Sequence, residues 1–314
     1  MIEKRNWNLY NNKLVKRGNI TRFSCKPELM KKEVQSLNEF KVGRPFEYSN
    51  ILILAAMGVK ITLKMGYRQL QGILEDVCSI IGIKRVPNFR TINYRMTKLK
   101  GQEMNYDITA AQINGEMLVI AIDSTGIKKT NNFEWQTVRF NKAKDWTKLH
   151  LLVDIKKKRI LNMIVTEKNV ADSEVFEKLL EPFTKITEVA NADRGYDTRR
   201  IFEFCKEYGI KPNIKVRLNS TTKCGGARKN AVIEQLGIKP KRGRPPFRLR
   251  DPIINREENQ NKWAVESGFN DRQIVESVIS SFKRTFGEYS FSKLTENIKK
   301  EMILKTMIYN MFIC

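Results

Sequence analysis

Two aspartates that follow apolar runs are the first residues in this chain with the potential for chemistry. The stretch VIAIDSTGIKKT places Asp123 at the end of such a run, and VANADRGYDTRR does the same for Asp193. Each is followed by a turn that contains a glycine, Gly126 or Gly195. If the two strands are neighbours, both carboxylates emerge at one edge of the sheet, where ligands collect. A divalent cation relieves the repulsion between paired carboxylates, which predicts a Mg²⁺ site with oxygen ligands. A capped strand end before a turn is the alternative interpretation.

A third carboxylate, Glu276, lies in FNDRQIVESVISSFKR. On a helix at about 100° per residue, Phe269, Arg272, Glu276 and Lys283 fall within an arc of about 60°. The adjoining arc is apolar and should face the core; it consists of Ile274, Val275, Val278, Ile279 and Phe282. Glu276 therefore shares a stripe with two cations beside a buried face. An exposed pair of Arg272 with Glu276, worth a few tenths of a kcal/mol, explains the spacing equally well.

Other reactive side chains are scarce or have simpler explanations. His150 is the only histidine and lies in the strand-like TKLHLLVDI, so we expect it to be structural, and multi-histidine metal sites are excluded. The five cysteines are far apart and form no Cys-x-x-Cys pair, which argues against a zinc site or a disulfide framework. Asp197 precedes the helical TRRIFEFCKEYG and is predicted to be its N-cap. Chemistry in this chain should rest on carboxylates.

The overall charge is strongly positive. The 314 residues include 58 Lys and Arg against 34 Asp and Glu, a formal net charge of +24. Such an excess predicts a polyanionic partner, foremost DNA, with an anionic membrane surface as the rival. The longest apolar stretch, ILILAAMGV at 51–59, is too short to span a bilayer, and the first 20 residues contain no apolar signal-peptide core. We therefore expect no membrane association and a cytoplasmic, nucleoid-associated location.

The N-terminal part of the chain has helical periodicity. Helices are predicted at about 48–60, 67–83 and 88–100, the last with Asn88 as its N-cap. A helix, a short turn and a basic helix form the pattern of a helix-turn-helix, whose second helix enters a major groove. In that case Arg90 and Arg95 are the candidate DNA contacts. An ordinary helical hairpin fits the pattern equally well.

From about residue 115 the pattern becomes that of an α/β protein. Strands are predicted at MLVIAID, KLHLLVDI, RILNMIVTE, ITEVANAD and KPNIKV, with helices at SEVFEKLLEPF and TRRIFEFCKEYG. The first of these helices should be capped by Asp172 or Ser173. The order is three strands in a meander, then helix, strand, helix, strand, which predicts a mixed sheet flanked by helices. Further helices are expected over 257–286 and from 291 onward.

Residues 217–250 have the composition of an inserted basic loop. They contain ten Lys or Arg and a single acidic residue, Glu234. Within them, Arg242 and Arg244 belong to an extended Arg-Gly-Arg-Pro segment of the kind that lies in a narrow A·T minor groove. A solvated basic loop is the alternative.

Taken together, these motifs resemble those of the DDE transposases of bacterial and archaeal insertion sequences. Arg272, Glu276 and Lys283 match the pattern Y-x2-R-x3-E-x6-K of the combined insertion-sequence-four and insertion-sequence-five group, with Phe269 in place of the Tyr. AIDSTGIK resembles the first-aspartate strand and NADRGYDTRR the second-aspartate block. YRQLQGIL with VPNFRTINYRM is similar to the N-terminal helical region, and GEYSFSKLTENIKKEMILKTMIYNMF to the closing helix of the insertion-sequence-five-like branch. The resemblance covers most of residues 44–314.

The resemblance implies an RNase H-like fold in which Asp123, Asp193 and Glu276 are the catalytic residues and hold two Mg²⁺ ions, with Mn²⁺ as a substitute. Arg272 and Lys283 would hold phosphates, and the ring of Phe269 would remain available for stacking on DNA. The activity implied is binding of terminal inverted repeats, cleavage of DNA phosphodiesters and joining of the 3′-OH ends to target DNA. An RNase H-like nuclease that never joins, and a repressor that binds DNA without catalysis, are the alternatives.

The resemblance also implies a domain organisation. Residues 1–110 would form a helical, helix-turn-helix-like DNA-binding region, and residues 111–314 an RNase H-like catalytic domain with a basic insertion at about 217–250. The expected partners are transposon-end and target DNA, with a homodimer in the DNA complex.

Overall fold

The computed structural model describes residues 6–17, 27–80, 85–98, 117–129, 139, 146–238, 253–292 and 294–313. The helices are α1 Trp7–Arg17, α2 Pro27–Asn38, α3 Asn50–Thr62, α4 Tyr67–Ile80, α5 Phe89–Lys98, α6 Asp172–Leu180, α7 Arg199–Glu207, α8 Gly226–Leu236, α9 Ile253–Glu266, α10 Gln273–Phe286 and α11 Thr295–Ile313. The strands are β1 Leu118–Lys128, β2 Trp146–Asp154, β3 Arg159–Glu167, β4 Thr187–Ala192 and β5 Lys211–Ile214.

The chain divides into two compact units. One contains Met1–Tyr106 together with Arg284–Cys314, and the other is Asp107–Lys283. This differs from the predicted ranges 1–110 and 111–314, because the closing helix α11 lies in the helical unit. The reason is that α11 is buried on several sides, and the long, largely buried helix α3 of the same unit packs against it.

The helical unit follows the sequence signals closely. Ser49 caps α3 by accepting a 3.0 Å hydrogen bond from the Leu52 amide, and the Asn88 side chain accepts a 2.8 Å bond from the Thr91 amide at the start of α5. The prediction of Asn88 as an N-cap is therefore confirmed. In the described part of the chain, no single helix is long and apolar enough to cross a membrane; α3 and α4 pass the same test only as a pair, and that pair is bent by 118°.

The second unit is built on a five-stranded mixed sheet with the order β3-β2-β1-β4-β5. β1, β2 and β3 form an antiparallel meander, whereas β4 joins β1 in parallel and β5 joins β4 in parallel. The intervening helices make the parallel connections possible. This is the predicted RNase H-like arrangement of a mixed sheet flanked by helices, and the fold prediction is confirmed.

An apolar core covers one face of this sheet. Ile120 and Ile122 of β1 contribute to it along with residues of α6, α7 and α8, the largest of which are Phe176, Phe202 and Leu236. Because side chains alternate along a strand, the residues between these isoleucines and beyond them lie on the opposite face. Asp123 is one of those residues.

Four predictions about individual helices, strands and loops of this unit are wrong. β1 does not stop at Asp123 but continues to Lys128, because β2 pairs with it from Ile120 to Lys128. The predicted helix 257–286 is interrupted at Gly268, which has a left-handed φ of 72°. Ala171, not Asp172 or Ser173, precedes α6, because the Asp172 carboxylate binds Lys148 at 3.1 Å instead.

The fourth correction concerns the predicted basic loop at 217–250. Its middle part is the helix α8, whose Val232 and Leu236 are buried in the core. Arg242 and Arg244 lie outside the described residues. The helix was missed because the segment is rich in lysine and arginine and few of its positions are apolar and buried.

Candidate active site

Asp123 lies where the sheet changes its pairing. The last parallel pair between β1 and β4 is Ile122 with Ala192, whereas Asp123 still faces Leu151 of β2. One carboxylate oxygen accepts a 2.8 Å hydrogen bond from the Ser124 amide, and 21% of the side chain is exposed. The carboxylate therefore sits on the face opposite the core, at the point where β4 ends.

Asp193 is the first residue after β4, and the register sets it beside Asp123. Ala121 pairs with Asn191, so each aspartate lies two residues beyond a paired position and on the same face. The Asp193 carboxylate accepts a 2.8 Å hydrogen bond from the Gly195 amide and so caps a short 3₁₀ turn. A Cβ atom at position 195 would approach that carboxylate oxygen to 2.9 Å, which explains the glycine.

Glu276 is connected to Asp123 by Arg272, which contacts both carboxylates. The Arg272 guanidinium lies 2.5 Å from a Glu276 oxygen and 3.6 Å from an Asp123 oxygen. Arg272 ends the 3₁₀ turn Phe269–Arg272, and Glu276 lies in the first turn of α10 with 53% of its side chain exposed. One cation thus bridges two of the three predicted carboxylates.

Buried amides hold this turn against the sheet. The Asn191 side chain donates to the Ile120 carbonyl at 2.9 Å, and Asn213 donates to the Asn191 side chain at 2.6 Å. The same Asn213 amide donates to the Ser267 carbonyl at 3.2 Å. Strands β1, β4 and β5 are therefore connected to the residue just before Gly268. The sequence offered no periodic signal for this chain of amides.

The ring of Phe269 is buried and does not present a stacking surface. It is 7% exposed and packs on Trp263 with ring centroids 5.7 Å apart. The Lys215 ammonium lies 4.9 Å from its centre and the Arg272 guanidinium 5.9 Å. The expectation that this ring stacks on DNA does not fit this placement. The ring instead supports two cations beside the carboxylates.

The electrostatic environment raises the proton affinity of Asp123. Burial is the main cause and brings its pKa to about 6; the Ser124 amide and Arg272 lower the pKa, and Asp193 and Glu276 raise it. Burial and then Arg194 and Arg272 lower the pKa of Lys215. A carboxylate with a raised pKa beside other carboxylates and cations is typical of a functional site.

Comparison with known proteins identifies the domain. Two family models with the description Transposase DDE domain match the chain, one over residues 114–311 and one over residues 15–132. The chain belongs to this family. Among solved structures, a cryo-EM structure of the piggyBac transposase synaptic complex with hairpin DNA is similar, at 11% sequence identity and a TM-score of 0.44, over 94% of this chain and 73% of that one.

The DDE domain has a donor set that suits a hard divalent cation. Asp123, Asp193 and Glu276 offer only carboxylate oxygens, the ligands that Mg²⁺ and Mn²⁺ prefer. Within the ranges that the structure describes, no three carboxylate, imidazole or thiol groups lie close enough together to hold one ion. Glu276 is not grouped with the two aspartates because its carboxylate binds the Arg272 guanidinium. The two aspartates fit the cation as they stand, and Glu276 fits it after exchanging partners.

The other acidic and basic residues near the DDE site have structural partners. Asp197 is not the N-cap of α7, since Thr198 takes that position. Its buried carboxylate accepts two 2.6 Å hydrogen bonds from Arg228 and one of 2.9 Å from the Arg217 amide. Lys283 is half-buried on α10, two turns beyond Glu276.

The two predicted DNA contacts of the helical unit differ in their placement. Arg95 is only 6% exposed; its guanidinium donates to the Tyr48 carbonyl at 3.1 Å and to the Asn50 side chain, and it lies 4.1 Å from the centre of the Phe46 ring. A DNA contact by Arg95 does not fit this burial, and the residue instead fixes the start of α3. Arg90 is exposed on α5.

Tyr196 is a residue near the site that the sequence reasoning missed. It is buried, packs on Phe176 at 5.8 Å, and its hydroxyl has no hydrogen-bonding partner among the described residues. Burial raises its pKa, and so do Asp172, Asp123 and Asp193. The hydroxyl is therefore neutral. The only sequence signal was its position three residues after Asp193.

Proposed function

We propose that this chain is a DNA transposase of an insertion sequence, from the insertion-sequence-five-like branch of the combined four and five group. It binds the terminal inverted repeats, cleaves DNA phosphodiesters and joins the freed 3′-OH ends to target DNA. The observation that carries this proposal is the adjacency of Asp123 and Asp193 on one sheet face, with Arg272 and Glu276 beside them, in a chain of the DDE family.

Asp123, Asp193 and Glu276 would hold two Mg²⁺ ions, with Mn²⁺ as a substitute. Bound there, the ions activate the attacking oxygen and stabilise the leaving oxygen of an in-line displacement. The attacking group is first water and then a DNA 3′-OH, so the chain supplies no covalent nucleophile. His150 takes no part in this chemistry, because it is fully buried and its Nε2 atom lies 2.8 Å from the Thr166 hydroxyl.

Arg272 and Lys283 would bind the phosphates next to the cleaved bond. A guanidinium can hold a phosphate through two parallel hydrogen bonds, and an ammonium acts as a point charge. Lys215 and Arg194 add positive charge near Arg272, since Arg194 and Arg272 both lower the pKa of Lys215. The buried ring of Phe269 supports Arg272 and Lys215 in this role.

DNA would also contact the chain away from the carboxylates. Arg90 on the exposed surface of α5 is one contact, and the segment with Arg242 and Arg244 is another. We propose that the chain acts as a homodimer on two transposon ends. Its substrate places it on the nucleoid.

The test uses the full-length protein, labelled transposon-end DNA and either Mg²⁺ or Mn²⁺. We expect the wild type to cleave the end and to form joint molecules with a target plasmid. Asp123→Asn, Asp193→Asn and Glu276→Gln should each abolish both products. Asp193→Asn should retain or improve DNA affinity, because a negative charge beside phosphates is lost. Glu188→Gln, at an exposed carboxylate on β4, the strand that precedes Asp193, is the matched control and should remain active.

The outcomes separate the alternatives. Cleavage without joining on supercoiled target would identify a nuclease. Tight, specific binding with no cleavage in either metal would identify a repressor. Loss of both binding and cleavage in Asp193→Asn would mean that Asp193 is structural.

A further inference from the structure

The helical unit contains a buried lysine for which the proposed chemistry has no use. Lys60, near the end of α3, is 7% exposed. Its ammonium lies 4.8 Å from the centre of the Tyr67 ring and 4.9 Å from that of Phe291. Among the described residues it has no hydrogen-bonding or ion-pair partner. A charged group that is kept out of water and makes no direct ion pair is unfavourable unless something else compensates for it.

Lys60 lines a cavity of about 180 Å³ in the helical unit. Asn93 and Thr97 of α5 line the same cavity, as do Asn297 and Lys300 of α11. These side chains offer amide, hydroxyl and ammonium donors. A cavity of this size is smaller than the roughly 300–1,000 Å³ of typical small-molecule pockets, so it suits a single charged group and not a whole metabolite.

Among the described residues, one acidic residue lines this cavity, and it already has hydrogen-bonding partners. Glu301 accepts hydrogen bonds of 2.9 Å from Lys305, 2.9 Å from the Ser290 hydroxyl and 3.0 Å from the Phe291 amide. The Ser292 amide donates to it as well, at 2.9 Å. Its charge is therefore balanced by Lys305, and Lys60 and Lys300 leave the cavity positive. Burial is the main cause that lowers the pKa of Lys60; Glu301 raises that pKa and Lys305 lowers it further.

The cavity opens toward a basic and aromatic groove. Tyr67, Asn93 and Thr97 also line an open groove on the surface of the same unit. Arg68 and Arg90 lie in that groove, with their guanidinium groups 5.3 Å and 5.7 Å from the centre of the Phe89 ring. A polymer with one phosphate in the cavity could continue along these arginines.

We propose that the Lys60 cavity binds one backbone phosphate of transposon-end DNA and that the adjoining groove takes the neighbouring nucleotides. This inference rests on the proposed function, because it names where the helical unit holds its DNA. The rings of Tyr67 and Phe291 fix the ammonium in position, so the site is formed before DNA arrives.

The principal variant is Lys60→Met, which keeps the unbranched stem and removes the charge. DNA affinity would be titrated at several salt concentrations on transposon-end DNA and on random DNA of equal length. We expect about a tenfold loss of affinity and a salt slope lower by about one, since one phosphate contact is removed. Lys31→Met, an exposed lysine on α2, is the matched control and should change neither by more than a small amount.

A second variant guards against a folding defect at the buried position. Asn93→Asp changes an exposed side chain at the junction of cavity and groove and should weaken DNA binding by repulsion. Inorganic phosphate is a separate probe. It should raise the Tm of the wild type above that in chloride of equal ionic strength, and it should have no such effect on Lys60→Met.

Wild-type affinity and salt slope in folded Lys60→Met would overturn the inference, even if Asp193→Asn still abolishes cleavage. Phosphate stabilisation without any DNA binding by the wild type would overturn DNA as the occupant. In that case the proposed function would fail as well. If the wild type cleaves end DNA and Lys60→Met binds it normally, only this inference fails.

Discussion

At the scale of single residues, the fold disfavours the ionised form of Asp123. Its pKa of about 6 against an ordinary 3.8 arises mainly from burial. A raised carboxyl pKa means that the folded protein binds the proton more tightly than the unfolded chain. The stabilisation is therefore complete below about pH 4 and is lost as pH rises through about 6. Above that pH the ionised group opposes folding.

We predict that Asp123→Asn stabilises the protein in the presence of a chelator, because the amide cannot ionise. The gain should be on the order of 2–3 kcal/mol at pH 8, from a shift of about two pKa units, and close to zero at about pH 3. Thermal or denaturant unfolding across this pH range measures it. Glu188→Gln should show no such trend. A gain that is the same at every pH would contradict ionisation as the cause.

Arg272 is the residue whose removal should separate cation binding from catalysis. Its guanidinium contacts both Asp123 and Glu276, so it competes with a divalent cation for the same oxygens. We predict that Arg272→Gln binds Mn²⁺ several-fold more tightly at pH 8 while cleaving end DNA more slowly. Electron paramagnetic resonance of free Mn²⁺ measures the first effect. Arg200→Gln, from an exposed pair with Glu177, should leave both unchanged; weaker Mn²⁺ binding in Arg272→Gln would argue that the arginine orients the carboxylates.

At the scale of elements, the site depends on the end of strand β4 and on the break between helices α9 and α10. β4 ends at Ala192 while β1 continues, and the helical segment breaks at Gly268 before it resumes as α10. The first break exposes the carboxylates of Asp123 and Asp193. The second turns Arg272 toward them. Buried amides of Asn191 and Asn213 connect the two breaks.

We predict that Asn213→Ala weakens the site without affecting DNA binding. The change removes the donor to the Asn191 side-chain oxygen and to the Ser267 carbonyl, which should destabilise the fold by about 1–3 kcal/mol. Cleavage should fall further than this stability loss explains at a temperature where the variant is folded, because the Arg272 turn is no longer held. Asn255→Ala, on the exposed side of α9, is the control. Unchanged cleavage by a folded Asn213→Ala would mean that the amide chain serves stability alone.

The elements also show how far the sequence could be interpreted. Apolar alternation predicted all five strands, and periodicity together with Asn88 predicted α4 and α5, because these signals depend on neighbours along the chain. The break at Gly268 and the amide chain depend on contacts between residues far apart in sequence, and no local pattern reports them. Arg95 is the clearest case at residue level: a basic helix position was predicted to face DNA, yet its guanidinium binds the backbone of a distant turn.

At the scale of the whole molecule, the net charge of +24 is far larger than one active site requires. Phosphate contacts release counterions, so affinity for DNA should fall steeply with salt. The described units contribute Arg90 and the groove beside it, and the chain contributes Arg242 and Arg244 in its basic segment. Sequence preference and general affinity should then reside in different places, since base edges are read in the grooves and phosphates are not specific.

We predict that replacing Arg242 and Arg244 with Ala lowers the salt slope by about one to two and weakens binding to end DNA and random DNA alike, because only phosphate contacts are lost. Arg90→Ala should instead reduce the preference for end DNA over random DNA, because Arg90 is exposed on α5, the helix that the helix-turn-helix pattern predicts to enter a major groove. Binding titrations over several salt concentrations on both DNAs measure these effects. A loss confined to A·T-rich sites in the double variant would indicate minor-groove insertion. An unchanged slope and affinity on both DNAs would remove the basic segment from the interface and leave the helical unit to hold the DNA.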